Sequence, residues 1–223
     1  IHARDPGACV VELPSGRMKS REGTVVDADD IVEEMANVAK AKTEELGKVK
    51  DFTDEELKEL YHTIGLGALK FFLLRVDPKK KMIFNPEESI DFHGFTGPFV
   101  QYTYARIKSI LRKVDGPSII DHGQTMNHEL SSMNLEKLEK DLIIAAEQYP
   151  SIIEQASTEH NPSVIANYIF HLAKTFNSFY TEHSIANAET EEKKQVRLQL
   201  AILTANIIKS GMQLLGIKVP ERM

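Results

Sequence analysis

Apolar residues recur every three or four positions in the second half of the chain, which is the period of a helix with one buried face. Three such stripes follow residue 132, and each predicts one helix. The stripes are Leu135, Leu138, Leu142 and Ala145; Val164, Tyr168, Leu172 and Phe176; and Val196, Leu200, Leu203 and Ile207. Stripes of this kind are usually the facing sides of a bundle, so the pattern predicts a helical bundle.

A further long helix is predicted where the sequence TDEELKELYHTIGLGALKFFLLRV begins. Thr53 and Glu56 have the spacing of a capping box, and the leucines and phenylalanines that follow keep helical spacing. The Asp-Pro pair at 77–78 ends this helix, because the residue before a proline avoids the helical conformation. The basic connector at 79–89 then holds one short predicted strand, at the sequence MIF.

The N-terminal part of the chain has a different pattern. The β-branched run ACVVEL at 8–13 predicts a strand, and DIVEEMANVAKAKTEEL predicts a helix that Asp27 or Asp29 caps and Gly47 ends. The acids at the start of this helix could bind a divalent metal, but helix starts attract acids for electrostatic reasons alone. The change of pattern near 47–53 marks the predicted boundary between a strand-and-loop segment and the bundle.

The sequence GPFVQYTYARIKSILRK predicts a helix over 97–114 with two different faces, followed by a polar loop at 115–132. Its apolar face consists of Val100, Tyr104, Ile107, Leu111 and Val114. A second stripe on roughly the opposite side consists of Tyr102, Arg106, Ser109 and Lys113, and the cations of the segment are Arg106, Lys108, Arg112 and Lys113. An exposed tyrosine one turn from an arginine can stack on an unpaired RNA base and contact phosphate. An ordinary amphipathic helix with a basic outer face explains the same pattern.

Three cations lie within five residues in the glycine-bounded sequence PSGRMKSREGTVV. Its cations are Arg17, Lys19 and Arg21, and its hydroxyl donors are Ser20 and Thr24. Because a helix start follows, this set suits a bound polyphosphate, although it lacks the Gly-x-x-x-x-Gly-Lys-Ser/Thr pattern of a P-loop. The alternative is a solvated basic turn.

Composition narrows the possible functions. The single cysteine, Cys9, excludes a disulfide framework and fits a reducing cytosol. No apolar run approaches the roughly 20 residues that cross a bilayer, and we expect no signal peptide. The formal net charge of −6 argues against gross polyanion binding but allows a local basic face. The chain opens on Ile1, which we interpret as a piece of a longer protein.

The eight histidines do not predict a metal site. His122 and His128 share the predicted polar loop, but no cysteine or second histidine pair completes a coordination sphere. We therefore expect no bound metal from these side chains.

Four segments, in this order, resemble the C-terminal portion of an arginyl-tRNA synthetase. They are LPSGRMKSREGTVVDADDIVEEM, ALKFFLLRVDPKKKMIFNPEESIDF, TGPFVQYTYARIKSILRK and LLGIKVPERM, and the resemblance covers essentially the whole chain. It implies a mainly α fold, with a helical anticodon-binding domain at 51–223. A short α/β remnant of a Rossmann-type class I catalytic domain is implied at 1–50.

The resemblance also implies a role for the basic loop. It corresponds to the class I signature KMSKS, which closes over the ATP triphosphate. The implied ATP-binding residues are Arg17, Met18, Lys19, Ser20 and Arg21, with Lys19 and Arg21 as the catalytic candidates. The loop departs from the signature, because Arg17 stands for the first lysine and Ser20 for the second. The His-Ile-Gly-His signature is matched only partly, by HTIG at 62–65, which we interpret as a coincidence.

The anticodon-binding domain of that family is often named for an Asp-Ala-Leu-Arg motif. The matching tetrad is GALK at 67–70, which lacks the first acid. The resemblance implies that five residues lie near the tRNA: Tyr102, Arg106, Lys113, Tyr180 and Met223. For Tyr180 a buried role fits the sequence equally well.

The implied parent enzyme activates arginine with ATP, with Mg²⁺ expected, and transfers it to its tRNA. We expect this chain to bind the anticodon region of arginine tRNA, to hold no cofactor tightly and not to catalyse alone. A cytoplasmic monomer without a membrane partner is expected. Two other classes remain open: a standalone RNA-binding helical module, and a helical scaffold that binds protein helices through exposed apolar stripes.

Overall fold

The structure is a computed structural model that describes residues 11–12, 27–45, 52–115 and 135–223. Helices make up most of these residues. The helices are α1 (Ala28–Glu45), α2 (Asp54–Leu74), α3 (Pro86–Ser89), α4 (Gly97–Asp115), α5 (Lys137–Glu147), α6 (Tyr149–Glu159), α7 (Pro162–Glu182) and α8 (Glu191–Leu214). The strands β1 (Val11–Glu12) and β2 (Met82–Ile83) pair in parallel. The predicted mainly α fold is confirmed, and the α/β remnant at 1–50 stays a prediction.

Local sequence signals predicted the positions of several elements correctly. At the start of α2 the predicted capping box is present: the Thr53 N–H donates to Glu56 Oε2 at 2.8 Å, and the Glu56 N–H donates to the Thr53 hydroxyl at 3.3 Å. The strand predicted at MIF is β2. Helix α4 ends one residue after the predicted position, and the predicted polar loop lies outside the described residues from 116 onward.

The sequence prediction missed one helix, because four long helices lie between residue 135 and the C-terminus where three were predicted. The missing helix is α6, which is separated from α5 by Gln148 alone. Pro150 lies in its first turn, where the absent backbone N–H is not needed. Of its eleven residues, all of them described, Ala156 alone is buried, at 7% exposed. Its Tyr149, Ile152 and Ala156 nevertheless lie three and four positions apart and contribute to a hydrophobic cluster of the bundle, so the prediction overlooked a short apolar stripe.

The larger of two hydrophobic clusters lies between α4, α5, α6, α7 and α8, and Leu172 and Ile208 are fully buried in it. The predicted apolar face of α4 belongs to this cluster, with Val100 and Ile107 completely buried. The stripe prediction was wrong for Leu203, which is 44% exposed. This residue lies at the edge of the face that α8 turns towards the cluster, so helical spacing alone misplaced it.

The smaller cluster joins α1 and α2 to the connector that holds β2 and α3. Met35 from α1, Ile64 from α2 and Phe84 from the connector are almost completely buried in it. Helices α1 and α2 approach closely because Gly65 has no side chain: a Cβ there would lie 2.7 Å from the Met35 carbonyl. Helix α1 thus packs on the first long helix after the predicted boundary near residue 50. That boundary stays a prediction.

A buried ion pair that sequence analysis did not predict joins α5 to α8. Arg197 Nε donates to Glu139 Oε1 at 2.8 Å, and the two side chains are 1% and 2% exposed. Arg197 also donates to the Ser184 carbonyl at 2.9 Å and pairs with Glu189 at 3.1 Å. Because these partners satisfy the guanidinium, its burial is compatible with a stable fold.

Candidate nucleic-acid interface

Tyr102 and Arg106 lie side by side on α4, one helical turn apart. The Arg106 Cζ atom is 4.8 Å from the centroid of the Tyr102 ring, which is within cation–π distance. Both side chains are half-buried, so each keeps part of its surface exposed to solvent. The structure therefore brings these two predicted residues together as a cation over an aromatic ring.

The Tyr102 ring also takes part in packing, which corrects the expectation that it points away from the core. It meets the Phe92 ring edge to face, with centroids 6.4 Å apart and planes at 78°, and it packs against the smaller cluster. The correction has a local cause, because the connector before α4 brings Phe92 against this turn of the helix. Tyr102 thus contributes to folding and still presents part of its ring.

A network of side chains connects Arg106 to α7. Arg106 Nη1 donates to Asn177 Oδ1 at 2.6 Å, and Asn177 Nδ2 donates to the Thr103 hydroxyl at 2.8 Å. The Thr103 hydroxyl donates in turn to the Phe99 carbonyl at 2.9 Å. The sequence contains no signal for Asn177, because it lies 71 residues from Arg106 and belongs to no apolar stripe.

The remaining cations of α4 differ in accessibility. Lys113 and Arg112 are exposed, and Arg112 donates to the Glu221 carbonyl at 3.2 Å. Lys108 is only 9% exposed, and its Nζ lies 3.3 Å from Glu221 Oε1. Of the four cations that the sequence places in this segment, Lys108 is therefore buried and paired with a carboxylate from the end of the chain.

The C-terminal tail, residues 215–223, crosses α2 and α4. Lys70 Nζ donates to the Gly216 carbonyl at 2.7 Å, and Gln101 Nε2 donates to the Lys218 carbonyl at 2.8 Å. These contacts lead the tail to the smaller cluster, against which both Met223 and Tyr102 pack. Two predicted tRNA-contacting residues that are far apart in sequence thus pack against one cluster.

The GALK tetrad at 67–70 has a packing role. A Cβ at Gly67 would lie 2.4 Å from Gln101 Nε2, so only glycine leaves room for this amide. Lys70, at the other end of the tetrad, holds the tail through the Gly216 carbonyl. The tetrad therefore positions the tail against α4.

Tyr180 has a packing partner as well. Its ring stacks on Phe176 of the same helix, with centroids 6.2 Å apart and planes at 6°. It is half-buried against the larger cluster and lies one turn after Asn177 on α7. Its contact with tRNA stays a prediction.

The predicted ATP-binding loop lies outside the described residues, so its roles stay predictions. Its residues are Arg17, Met18, Lys19, Ser20 and Arg21. In the part of the chain that the structure describes, no three His, Cys, Asp or Glu side chains are grouped to hold a metal ion. Within the same residues, every helix is too short or too polar to traverse a bilayer.

The family model of the DALR anticodon binding domain matches residues 100–223, which is more than half of the chain. The chain belongs to this family. The matched DALR residues include α4 from Val100 onward, α7 and the tail, and therefore Tyr102, Arg106 and Met223. The GALK tetrad lies before them.

Curated arginine–tRNA ligases are similar to nearly the whole of this DALR-family chain. The ligase of Flavobacterium psychrophilum is 55% identical over 214 residues, and that of Parabacteroides distasonis is 49% identical over 215 residues. Each alignment covers 96% of this chain, but 34% and 35% of the respective relatives. The chain thus spans about a third of the length of these relatives. The predicted resemblance to part of an arginyl-tRNA synthetase is confirmed.

Solved structures of arginyl-tRNA synthetases share the fold. The Thermus thermophilus enzyme matches with a TM-score of 0.81 at 30% identity, covering 96% of this chain and 34% of that chain. The Plasmodium falciparum enzyme matches with a TM-score of 0.73, covering 89% of this chain and 34% of that one. At 22% identity, the second match supports the fold alone.

Proposed function

We propose that this chain binds the anticodon region of an arginine tRNA, as part of an enzyme that attaches arginine to that tRNA. The observation that carries the proposal is the Tyr102–Arg106 pair, which lies within the residues that match the anticodon-binding family. A partly exposed aromatic ring beside a guanidinium offers two complementary contacts to single-stranded RNA.

The two side chains have different tasks in this proposal. An unpaired loop base stacks on the exposed part of the Tyr102 ring, because bases in loops can turn out of the helix. Arg106 contacts the adjacent phosphate and adds the electrostatic part of the affinity, which salt weakens. Lys113 extends the positive charge along α4, and Met223 and Tyr180 are further contacts.

The catalytic part of the proposal rests on the names of the relatives, which are arginine–tRNA ligases. We propose that the parent enzyme activates arginine with ATP and Mg²⁺, and that the loop at 17–21 binds the triphosphate. Lys19 and Arg21 would stabilise the negative charge that develops as pyrophosphate leaves. An enzyme that charges tRNA for translation is expected in the cytoplasm, and we propose that it acts as a monomer.

The same proposal divides the chain between two domains. Residues 1–50 would belong to the catalytic domain and residues 51–223 to the anticodon-binding domain. The packing of α1 on α2 would then form the contact between them, with Met35 and Ile64 in one cluster.

The proposal is tested by measuring how tightly the chain binds two transcripts. One is an arginine tRNA, and the other is the same tRNA with its anticodon loop replaced by that of another tRNA. We expect the replacement to weaken binding at least fivefold, roughly the loss of one stacked base. Equal affinity for both transcripts would support a general RNA-binding module. Absence of binding by the folded chain would support a protein scaffold.

A further inference from the structure

Asn177 connects two helices of the bundle at the Arg106 guanidinium. Its Oδ1 accepts from Arg106 Nη1, and its Nδ2 donates to the hydroxyl of Thr103, which is completely buried. The Thr103 hydroxyl already donates to the Phe99 carbonyl and is therefore an acceptor for Asn177. Because each donor faces an acceptor along this network, the Asn177 side-chain amide cannot flip by 180° without losing both of its hydrogen bonds.

This network restricts where the Arg106 guanidinium can be. A long, partly exposed arginine side chain would otherwise sample many rotamers, and ordering it on binding costs free energy. The 2.6 Å bond to Asn177 and the 4.8 Å contact with the Tyr102 ring hold the guanidinium in place before RNA arrives. Helix α7 therefore shapes the site on α4 through Arg106.

We propose that Asn177 is a positioning residue for RNA recognition, which holds the Arg106 guanidinium over Tyr102 so that both side chains meet the same nucleotide. The inference rests on the proposed function, since it requires that Arg106 contacts RNA. In Asn177→Ala the charge of Arg106 remains, but the side chain can leave the ring. Affinity then falls although no RNA-contacting group has been removed.

Four variants of the 223-residue chain test this inference: Asn177→Ala, Arg106→Ala, the double variant, and Asn167→Ala as a matched control. Asn167 lies on the same helix, and its Nδ2 donates to the Ser163 and Arg75 carbonyls at 2.6 and 3.4 Å, away from Arg106. For each variant the dissociation constant for an arginine tRNA transcript is measured at several salt concentrations. Melting temperatures record whether the variant is folded.

We expect Arg106→Ala to weaken binding at least fivefold and to reduce the salt slope by about one, as for a lost phosphate contact. Asn177→Ala should weaken binding by about threefold or more, with a slope closer to that of the unmodified chain because the charge remains. The double variant should bind no more weakly than Arg106→Ala, since Asn177 acts only through Arg106. Asn167→Ala should bind like the unmodified chain.

The inference is overturned if the double variant loses affinity by the product of the two factors lost in Asn177→Ala and Arg106→Ala. It is also overturned if Asn177→Ala binds normally while Arg106→Ala binds weakly, and in both cases the proposed function stands. Normal binding by Arg106→Ala would remove the inference together with the site proposed on α4. If Asn177→Ala does not fold, Asn177→Ser takes its place under the same criteria, because the shorter hydroxyl cannot keep both amide contacts.

Discussion

At the scale of single residues, the Tyr102 ring takes part both in hydrophobic packing and in a cation–π pair. Its ring packs edge to face against Phe92, and the Arg106 guanidinium lies over the same ring. Ile107 is one position beyond Arg106 and completely buried in the larger cluster. Substitutions at Tyr102 should therefore affect both stability and RNA binding, whereas substitutions at Ile107 should affect stability alone.

Tyr102→Ala should weaken binding of arginine tRNA by about 1–3 kcal/mol, the usual loss for a stacked base. It should also lower the free energy of unfolding, because the contact with Phe92 is lost. Ile107→Ala should lower the free energy of unfolding by about 2–5 kcal/mol and leave the affinity of the folded chain unchanged. Denaturant titrations and tRNA titrations check both, with Tyr102→Phe as the control that keeps the ring. Unchanged affinity in Tyr102→Ala would contradict the assignment.

Tyr168 makes stability sensitive to high pH. Burial raises the pKa of Tyr168 to about 12, with a smaller contribution from Tyr149, and its hydroxyl donates to the Ala145 carbonyl at 2.7 Å. The unfolded chain releases this proton near pH 10, so between about pH 10 and 12 it binds fewer protons than the folded chain. The contribution of Tyr168 to the free energy of unfolding is therefore complete below pH 10 and declines as the pH rises through this range.

Tyr168→Phe should make that decline shallower when urea unfolding is measured between about pH 9 and 11.5. The decline should not vanish, because burial also raises the pKa values of Tyr61 and Tyr104. Tyr180→Phe, which keeps the ring on Phe176, controls for the removal of a tyrosine hydroxyl. An unchanged slope in Tyr168→Phe would show that this hydroxyl does not titrate as described.

At the scale of elements, Gln101 decides how α2, α4 and the tail meet. Its side chain is buried, and Nε2 donates to the Thr63 carbonyl at 3.2 Å and to the Lys218 carbonyl at 2.8 Å. Gly67 leaves the space that this amide occupies. The sequence of the tetrad at 67–70 is therefore explained by packing, whatever it contributes to RNA binding.

Gly67→Ala should destabilise the chain by about 1–2 kcal/mol, because displacement of Gln101 outweighs a gain of about 1 kcal/mol in helix propensity. Gly94→Ala is the control, since a Cβ there would meet the carboxylate end of the exposed Asp91 side chain, which can move. Denaturant unfolding of both variants provides the comparison. Stabilisation by Gly67→Ala, with little change in Gly94→Ala, would indicate that Gln101 moves aside at no cost.

Removing one partner of the buried ion pair between Arg197 and Glu139 should strongly lower the free energy of unfolding. Glu139→Ala leaves the guanidinium buried without its closest carboxylate and should cost about 3–5 kcal/mol. Replacing both residues, as Glu139→Leu with Arg197→Met, should recover part of that loss. Glu45→Ala, which removes an exposed partner of Lys42, should change the unfolding free energy little. A mild effect of Glu139→Ala would mean that Glu189 can compensate.

At the scale of the whole molecule, α2 and α4 each contribute side chains to both hydrophobic clusters. Phe71 belongs to the larger cluster and its neighbour Phe72 to the smaller one, and α4 divides likewise between Ile107 and Tyr102. The proposed RNA site therefore lies where the two clusters meet. Its tyrosine packs on the smaller cluster, while its arginine is held from α7 by Asn177.

The chain on its own should show only background arginine-dependent exchange of pyrophosphate with ATP. It spans about a third of the length of the related ligases, so most of the residues of such an enzyme are not part of it. The full-length ligase of Flavobacterium psychrophilum is a suitable positive control. Robust exchange by the chain alone would contradict the assignment of 51–223 to an anticodon-binding domain beside a separate catalytic one.

Local signals in the sequence by themselves determined where the main helices lie and which way most of them face. The capping box of Thr53 and Glu56 and the spacing of Val100 and Ile107 involve residues within a few positions of one another. Capping and helical periodicity act over that distance, so both were predictable. Helix α6 was missed because its apolar stripe of Tyr149, Ile152 and Ala156 is short, and because α5 ends only one residue before it begins.

Only the tertiary structure decided which side chains meet. Arg106 meets Asn177 from 71 residues away and Arg197 meets Glu139 from 58 residues away. Glu221, near the end of the chain, pairs with the buried Lys108 of α4 at 3.3 Å. These contacts depend on how helices cross and on where the tail runs, which no local period encodes. For the same reason the contact between Tyr102 and Arg106, one turn apart on α4, was predictable, but the bond from Arg106 to Asn177 was not.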